Sequence, residues 1–214
     1  MTKVLGIIFR FFSFLYPYKF HRWLIGYKNL FYTLWIKNFI GKVGEQSTIC
    51  YPCDLQGEGL KNITIGSSTT INRHTILGCW TKYGNQQFPN ASITIGNNCS
   101  IGEYSHITAC NKITIGDGLL TGRYVFISDN NHGGLSKEES EIIPLKRELK
   151  SKGEVTIGNN VWLGDKVAVL SGVHIGNNVI VAANAVVTKD IPDGCIVAGV
   201  PGKVVKQIEN NGNT

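Results

Sequence analysis

Broken every six residues, positions 157–186 read IGNNVW LGDKVA VLSGVH IGNNVI VAANAV. An aliphatic residue opens each block and recurs once more beyond it: Ile157, Leu163, Val169, Ile175, Val181, Val187. A helix repeats about every 3.6 residues and a strand every 2, so neither produces a period of six. The same spacing recurs upstream at Ile65, Ile71 and Leu77, at Ile95, Ile101, Ile107 and Ile113, and, with one Thr, at Ile115, Thr121 and Ile127. Six residues suffice for one short strand and one corner, and three such units close a triangular coil with its aliphatic residues on a common axis. The corners follow in Gly96-Asn97-Asn98, Gly116-Asp117-Gly118, Gly158-Asn159-Asn160 and Gly176-Asn177-Asn178. These residue types tolerate positive φ and bond their own backbone. Coils stacked about 4.8 Å apart pair strand to strand and bury a continuous column. The expected fold is an all-β solenoid.

The repeat breaks at residues 78–94 and at 133–154, the latter carrying Glu138, Glu139, Glu141, Lys146, Arg147, Glu148 and Lys150. Insertions in a solenoid map to loops on one face, often the binding face. The expected organisation is a basic, aromatic-rich helical segment at 1–44, the repeat domain at 45–208 and a tail at 209–214.

Charge separates the first segment from the rest. Residues 1–44 hold seven Lys or Arg and no acid, whereas the remainder carries 14 basic and 15 acidic residues. The net charge of +6 therefore belongs to the N-terminus, which argues against a nucleic-acid surface on the repeat domain. Six scattered cysteines and no small-residue cleavage site after the apolar stretch Val4–Tyr16 give an expectation of reduced thiols in the cytoplasm. Cys50 and Cys53 read as packed thiols, since no βαβ pattern surrounds them and no second CxxC completes a zinc site.

The hexads, the segment Asn160-Val161-Trp162-Leu163-Gly164, and the run Val187-Thr188-Lys189-Asp190-Ile191-Pro192 followed by Ala198-Gly199-Val200-Pro201-Gly202-Lys203-Val204-Val205 together resemble the left-handed β-helix acetyltransferases. Within them, members that O-acetylate surface-polysaccharide sugars are most similar. The resemblance spans about residues 60–208. It implies a left-handed parallel β-helix with a short C-terminal helix, acetyl-CoA as donor, a sugar acceptor, and a homotrimer with the cofactor between subunits. Residues 1–44 add N-terminal helices by their own spacing, and the absence of a close His pair gives an expectation of no metal.

Acetyl transfer from a thioester to a hydroxyl needs a base, oxyanion donors and alignment. His titrates closest to working pH, and five compete: His21, His74, His106, His132 and His174. His132 ends the third hexad of its coil, opens the longer loop, and lies in Ser128-Asp129-Asn130-Asn131-His132, which is similar to the family's catalytic-His segment. It is the expected general base. His74 is expected near a corner, and His106 and His174 should point outward. A clean loop insertion would put Lys112, His132 and His174 in one outward column, with His174 about one coil spacing, roughly 4.8 Å, from the base.

Matching to the family puts Trp162, Gly164, Asp165, Ala183, Thr188 and Lys189 along the coenzyme groove, with Lys203 and Lys206 near the nucleotide. On the acceptor side, Gly102 falls where the galactoside and maltose acetyltransferases keep an Asn. Glu103 and Tyr104 beside it, and Asn130 in the histidine segment, are the expected acceptor contacts.

Thirteen of the 21 aromatic residues fall in the first 44 positions. From Phe20 to Trp35 they follow helical spacing among Arg22, Lys28 and Lys37. Such a segment suits peripheral contact with the inner membrane face; the competing expectation is that it caps the open end of the β-helix.

The combined expectation is an acetyl-CoA-dependent O-acetyltransferase of a glycan or glycolipid hydroxyl. N-acetylation of an amino sugar is the alternative acceptor chemistry. A non-catalytic scaffold and a γ-carbonic-anhydrase-like metalloenzyme are the alternatives of another class.

Overall fold

The computed structural model describes residues 2–134 and 136–207. Two helices, α1 (Thr2–Leu15) and α2 (Tyr18–Ile36), precede a coil of short strands that cycles through three sheets. The first sheet takes Lys42–Val43, Ile63–Ile65, Ser92–Ile95, Lys112–Ile115, Val155–Ile157 and His174–Ile175. The second takes Thr48–Ile49, Thr70–Ile71, Ser100–Ile101, Leu120–Thr121, Trp162–Leu163, Ile180–Val181 and Cys195–Ala198; the third takes Asp54–Gln56, Ile76–Cys79, His106–Ala109, Phe126–Ser128, Ala168–Val169 and Val186–Val187. Each strand pairs in parallel with the strand one coil away, as in Ile101↔Ile71 and Ile107↔Ile127. The predicted hexads thus form a three-sided parallel coil.

The hexad aliphatics fill its axis. Ile65, Ile71, Leu77, Ile107, Ile113, Ile127, Leu163, Val169 and Val187 are all buried. Thr121, the polar residue among them, is also buried, and its hydroxyl accepts the N–H of Gly102 at 2.7 Å and donates to the Gly122 carbonyl. Polar side chains hold the corners in register. The side-chain oxygen of Asn97 accepts the N–H of Ser67, Asp117 that of Asn97, Asn159 that of Asp117, Asn177 that of Asn159, and Asp193 that of Asn177, at 2.7–2.8 Å. The neighbouring corner glycines are required by close approach: a Cβ on Gly116 would sit 2.6 Å from Asn159 Oδ1 and 2.9 Å from the Gly158 carbonyl oxygen.

Both ends of the coil are covered. On the first coil, α2 supplies side chains to backbone groups that have no preceding strand. Thr33 Oγ1 accepts from Ile49 N at 2.9 Å, Asn29 Oδ1 from Tyr51 N at 3.1 Å, and Tyr32 Oη donates to the Cys53 carbonyl at 2.7 Å. At the other end Lys203–Gln207 folds back antiparallel on Cys195–Ala198. The expected C-terminal helix is therefore replaced, through Gln207, by a strand, because Lys203, Val204, Lys206 and Gln207 pair along the open edge of the last coil, with a bulge at Val205. The tail at 209–214 lies outside the described residues.

Two boundaries also shift. The coil begins at Lys42, which pairs with Thr64, and the first interruption narrows because Ile76–Cys79 and Ser92–Ile95 extend the strands into it. A further small excursion at residues 57–62, closed by a single 3₁₀ turn, Leu60–Asn62, had no counterpart in the sequence reading.

Truncating the axis, as in Ile101→Ala, should cost about 2–5 kcal/mol by lost burial plus a cavity, read as a lowered midpoint in urea unfolding. The last rung adds an acid dependence. Hydrogen bonds from the Asn177 main chain and side chain hold the Asp193 carboxyl below its ordinary value. Its stabilising contribution is present above about pH 4 and is lost as pH falls through the folded value. Asp193→Asn keeps the acceptor without titrating, so its thermal midpoint should fall less than the wild type's on acidification; parallel profiles would remove Asp193 from the acid response.

Candidate active site

The site begins where the chain leaves the third sheet after Ser128. Asp129 is fully buried, and its carboxylate accepts the N–H groups of Cys110 at 2.8 Å and Asn111 at 2.9 Å from the preceding coil. Its own carbonyl accepts Ser171 Oγ from the following coil at 2.6 Å. The departure point is thereby fixed to the coils on either side. Asn130 donates its amide to Asp129 Oδ1 and the Thr108 carbonyl, so that side chain locks the turn.

Asn131–His132 then pairs antiparallel with Leu149–Lys150, and His132 lies opposite Leu149. The shorter interruption reaches the same place through the hairpin Lys82–Tyr83 and Gln86–Gln87. Gln86 joins the two loops: its Nε2 donates to the Leu149 carbonyl at 3.1 Å and its Oε1 accepts the Leu149 N–H at 2.7 Å. Tyr83 meets the exposed imidazole of His132 edge-on, with ring centroids 5.5 Å apart. Together these elements wall a cleft of about 370 Å³. Its floor is the outer face of the third sheet, including His106, Thr108, Phe126 and Ser128, and Trp80, Asn130 and Asn131 complete the lining.

Burial lowers the pKa of His106, against a smaller upward effect of Asp54, so its ring is neutral at pH 7. It meets Phe126 edge-on at 5.6 Å. The thiols beneath are inert: burial and the nearby Asp129 charge push Cys79 and Cys110 up to about 12. The cleft thus presents an accessible imidazole on a braced hairpin and a second, neutral imidazole on a rigid floor. That pairing suits proton transfer to and from a polar acceptor.

The remaining expected residues divide. Thr188 and Lys189 follow Val186–Val187, whose register runs through Ala168 to Phe126, so they stand two coils above the point where His132 departs. Trp162 lies on the second sheet, half exposed, between Leu120 and Ile180. Gly164 packs against Ala183 at the next corner, and Asp165 accepts the N–H of Arg123 at 2.7 Å. Lys203 and Lys206 lie on the returning strand. A single chain does not bring this second group to His132.

Glu103 and Tyr104 are likewise elsewhere. Glu103 bridges Arg73 at 2.6 Å and Arg123 at 3.4 Å, and Tyr104 stacks between His74 and Tyr124 on a corner away from the cleft. His74 does sit at a corner, with φ of 61°. The expected column of Lys112, His132 and His174 does not form. His174 pairs with Thr156, Lys112 faces Glu154, and the hairpin carries His132 away from the first sheet. His106 and Gln86 were not singled out from sequence. His106 had a usable signal, since it precedes Ile107 at the position Phe126 holds before Ile127, on the coil below the break.

Residues 154–189 match the model of the bacterial transferase hexapeptide, six repeats. The putative lipopolysaccharide biosynthesis O-acetyl transferase WbbJ of Escherichia coli K12 is 36% identical over 163 residues, covering 74% of this chain and 78% of that protein. The galactoside O-acetyltransferase of the same organism is 39% identical over 103 residues, 46% of this chain and 45% of that one. Among solved structures, a single-residue mutant of the N-acyltransferase AntD of Bacillus cereus, in complex with dTDP and coenzyme A, superposes with a TM-score of 0.66 at 20% identity, covering 82% and 89% of the two chains. A maltose O-acetyltransferase of Clostridium difficile gives 0.52 at 24% identity over 82% and 73%. The fold and these similarities define an acyltransferase. The chain belongs to the hexapeptide-repeat acetyltransferase family.

Asp129→Ala should leave the Cys110 N–H buried without an acceptor, at about 1–3 kcal/mol, strip the partly buried Asn111 N–H of its partner, and lower the unfolding midpoint. Gln86→Leu should leave global stability nearly unchanged while loosening the hairpin, seen as faster amide exchange at His132 and Leu149.

Proposed function

We propose that the chain transfers an acetyl group from acetyl-CoA to a sugar hydroxyl of a glycan or glycolipid intermediate, with His132 as general base. The observation that carries this reading is the convergence of both loops on His132 above a cleft floored by His106, Thr108 and Ser128. In the step, His132 takes the acceptor's hydroxyl proton as that oxygen attacks the thioester carbonyl. The carbon–sulfur bond then breaks, and His132 returns the proton to the departing thiolate, so charge and protons balance. His106, neutral and anchored, serves as a hydrogen-bonding partner for the acceptor.

The donor fits the outer face of the third sheet. Beyond Phe126 the outward positions shrink to Ala168 and Val186, which leaves a track for an apolar pantetheine arm, and Lys189 and Lys203 supply cations toward its end. Trp162, Gly164, Asp165, Ala183, Thr188 and Lys206 are retained as cofactor contacts through assembly. Trp162 and Leu120 are half exposed on a sheet that faces away from His132, so a homotrimer, wound left-handed, would set one copy's second sheet against the next copy's cleft. Glu103 and Tyr104 remain candidates for acceptor contact only across such an interface.

The hydroxyl acceptor is favoured over an amine because the relatives at 36% and 39% identity are named as O-acetyltransferases, whereas AntD at 20% carries the fold alone. The lipid-linked form of the acceptor suits a place at the inner membrane face.

His132→Ala should cut turnover at least ~10² with an unchanged circular dichroism spectrum, measured with labelled acetyl-CoA and a panel of hydroxyl and amino sugars. Full activity would overturn the assignment, and preference for amino sugars would transfer it to N-acetylation. If the site is shared between copies, unfolding and refolding a mixture of the inactive His132→Ala and Trp162→Ala variants should restore activity that neither has alone.

A further inference from the structure

The first coil is capped by α2 alone, which leaves α1 without a buried residue. The contacts to the first coil come from Asn29, Tyr32 and Thr33, with Ile36 buried beside them, and no residue of α1 is buried. Its sequence, TKVLGIIFRFFSFL, still has an ordered pattern. Lys3, Gly6, Arg10 and Ser13 follow helical spacing and form one narrow polar stripe. The rest of the surface is apolar and exposed, with Ile7 at 72%, Phe11 at 61% and Phe14 at 82%. The Ser13 hydroxyl is turned inward to the Phe9 carbonyl at 2.8 Å, which makes even that position less polar.

We propose that α1 is a membrane-docking helix that lies flat in the headgroup region of an anionic bilayer. The proposal rests on the acceptor reading above only for what docking delivers, a sugar carried on lipid. Fourteen residues span about 21 Å, against about 30 Å of hydrocarbon, and among the described residues no helix is long and apolar enough to cross a membrane. A wide apolar face with two cations along its edge is instead the pattern of a helix in the interfacial plane.

The charge of the segment selects the occupant. All seven ionised side chains in residues 1–44 are basic, and each near the surface draws on the negative potential of anionic lipid. A second copy packed on the apolar face would leave Lys3 and Arg10 without an acidic partner, since the segment holds none, whereas anionic headgroups pair with both. Exposed aromatics continue onto α2 at Trp23 and Phe31, beside Arg22 and Lys28. Trp at the water–lipid boundary together with Lys and Arg matches both layers of a headgroup region.

The test uses the full chain in flotation with vesicles of phosphatidylcholine, alone or mixed with phosphatidylglycerol. The wild type should float with the mixed vesicles and far less with phosphatidylcholine alone. Phe11→Asp/Phe14→Asp and Lys3→Glu/Arg10→Glu should each reduce partitioning at least about tenfold, while acetylation of a water-soluble sugar is unchanged. Wild-type protein that stays at the bottom of the gradient, or an aspartate pair that floats as well as wild type, would overturn the proposal. So would an aspartate pair that lowers the oligomeric mass by light scattering, because the face would then belong to a second copy. Vesicle binding by a protein without acetyltransferase activity would reject the acceptor reading and leave α1's docking role in place.

Discussion

Parallel pairing between successive coils is the constraint from which the rest of this structure follows. Every strand is two to five residues long, too short to stand alone, and its backbone groups are satisfied only by the coil above and the coil below. Register is therefore a property of the whole stack. The Asn and Asp oxygens along one corner reinforce it, since each accepts an N–H from the equivalent position of the neighbouring coil. The same demand explains both ends, where α2 side chains and a returning strand stand in for missing coils.

A framework so regular can hold chemistry only where it is interrupted. Both main excursions leave from the C-terminal ends of third-sheet strands, so their loops rise on the same side of the coil. Gln86 turns that proximity into a connection by binding both main-chain groups of Leu149, directly opposite His132. Asp129 secures the root of the hairpin from below. His132 is thus exposed yet attached through its backbone to two loops and three coils, which restricts its imidazole without burying it.

The fold was legible because its signal is periodic: aliphatics every six residues followed by Gly, Asn or Asp leave no other geometry. The break was legible for the complementary reason, and His132 stands at it. What could not be read were contacts between distant segments. Gln86 and Leu149 are 63 residues apart with no pattern linking them, and His106 carries meaning only once Ile107 and Ile127 are known to be neighbours. The expected proximity of His174 assumed that the chain continues its coil through His132, whereas a buried Asp129 turns it outward. Glu103 and Tyr104 were chosen for nearness to a corner in sequence. Corners recur three times per coil, and theirs is a different one, occupied by the Arg73 and Arg123 ion pairs and the His74–Tyr104–Tyr124 stack.

The stack of coils has one more consequence. The helical end of the molecule and the strand that leads to His132 are separated by whole coils: Asp54, Ile76, His106 and Phe126 succeed one another along the third sheet. Three steps of about 4.8 Å put the departure point roughly 14 Å above the first coil. Repeat number thereby acts as a yardstick, graduated in coils, for the height of the cleft above the helical end. Adding or deleting a coil below the break would reset that height by one graduation and leave the cleft itself intact.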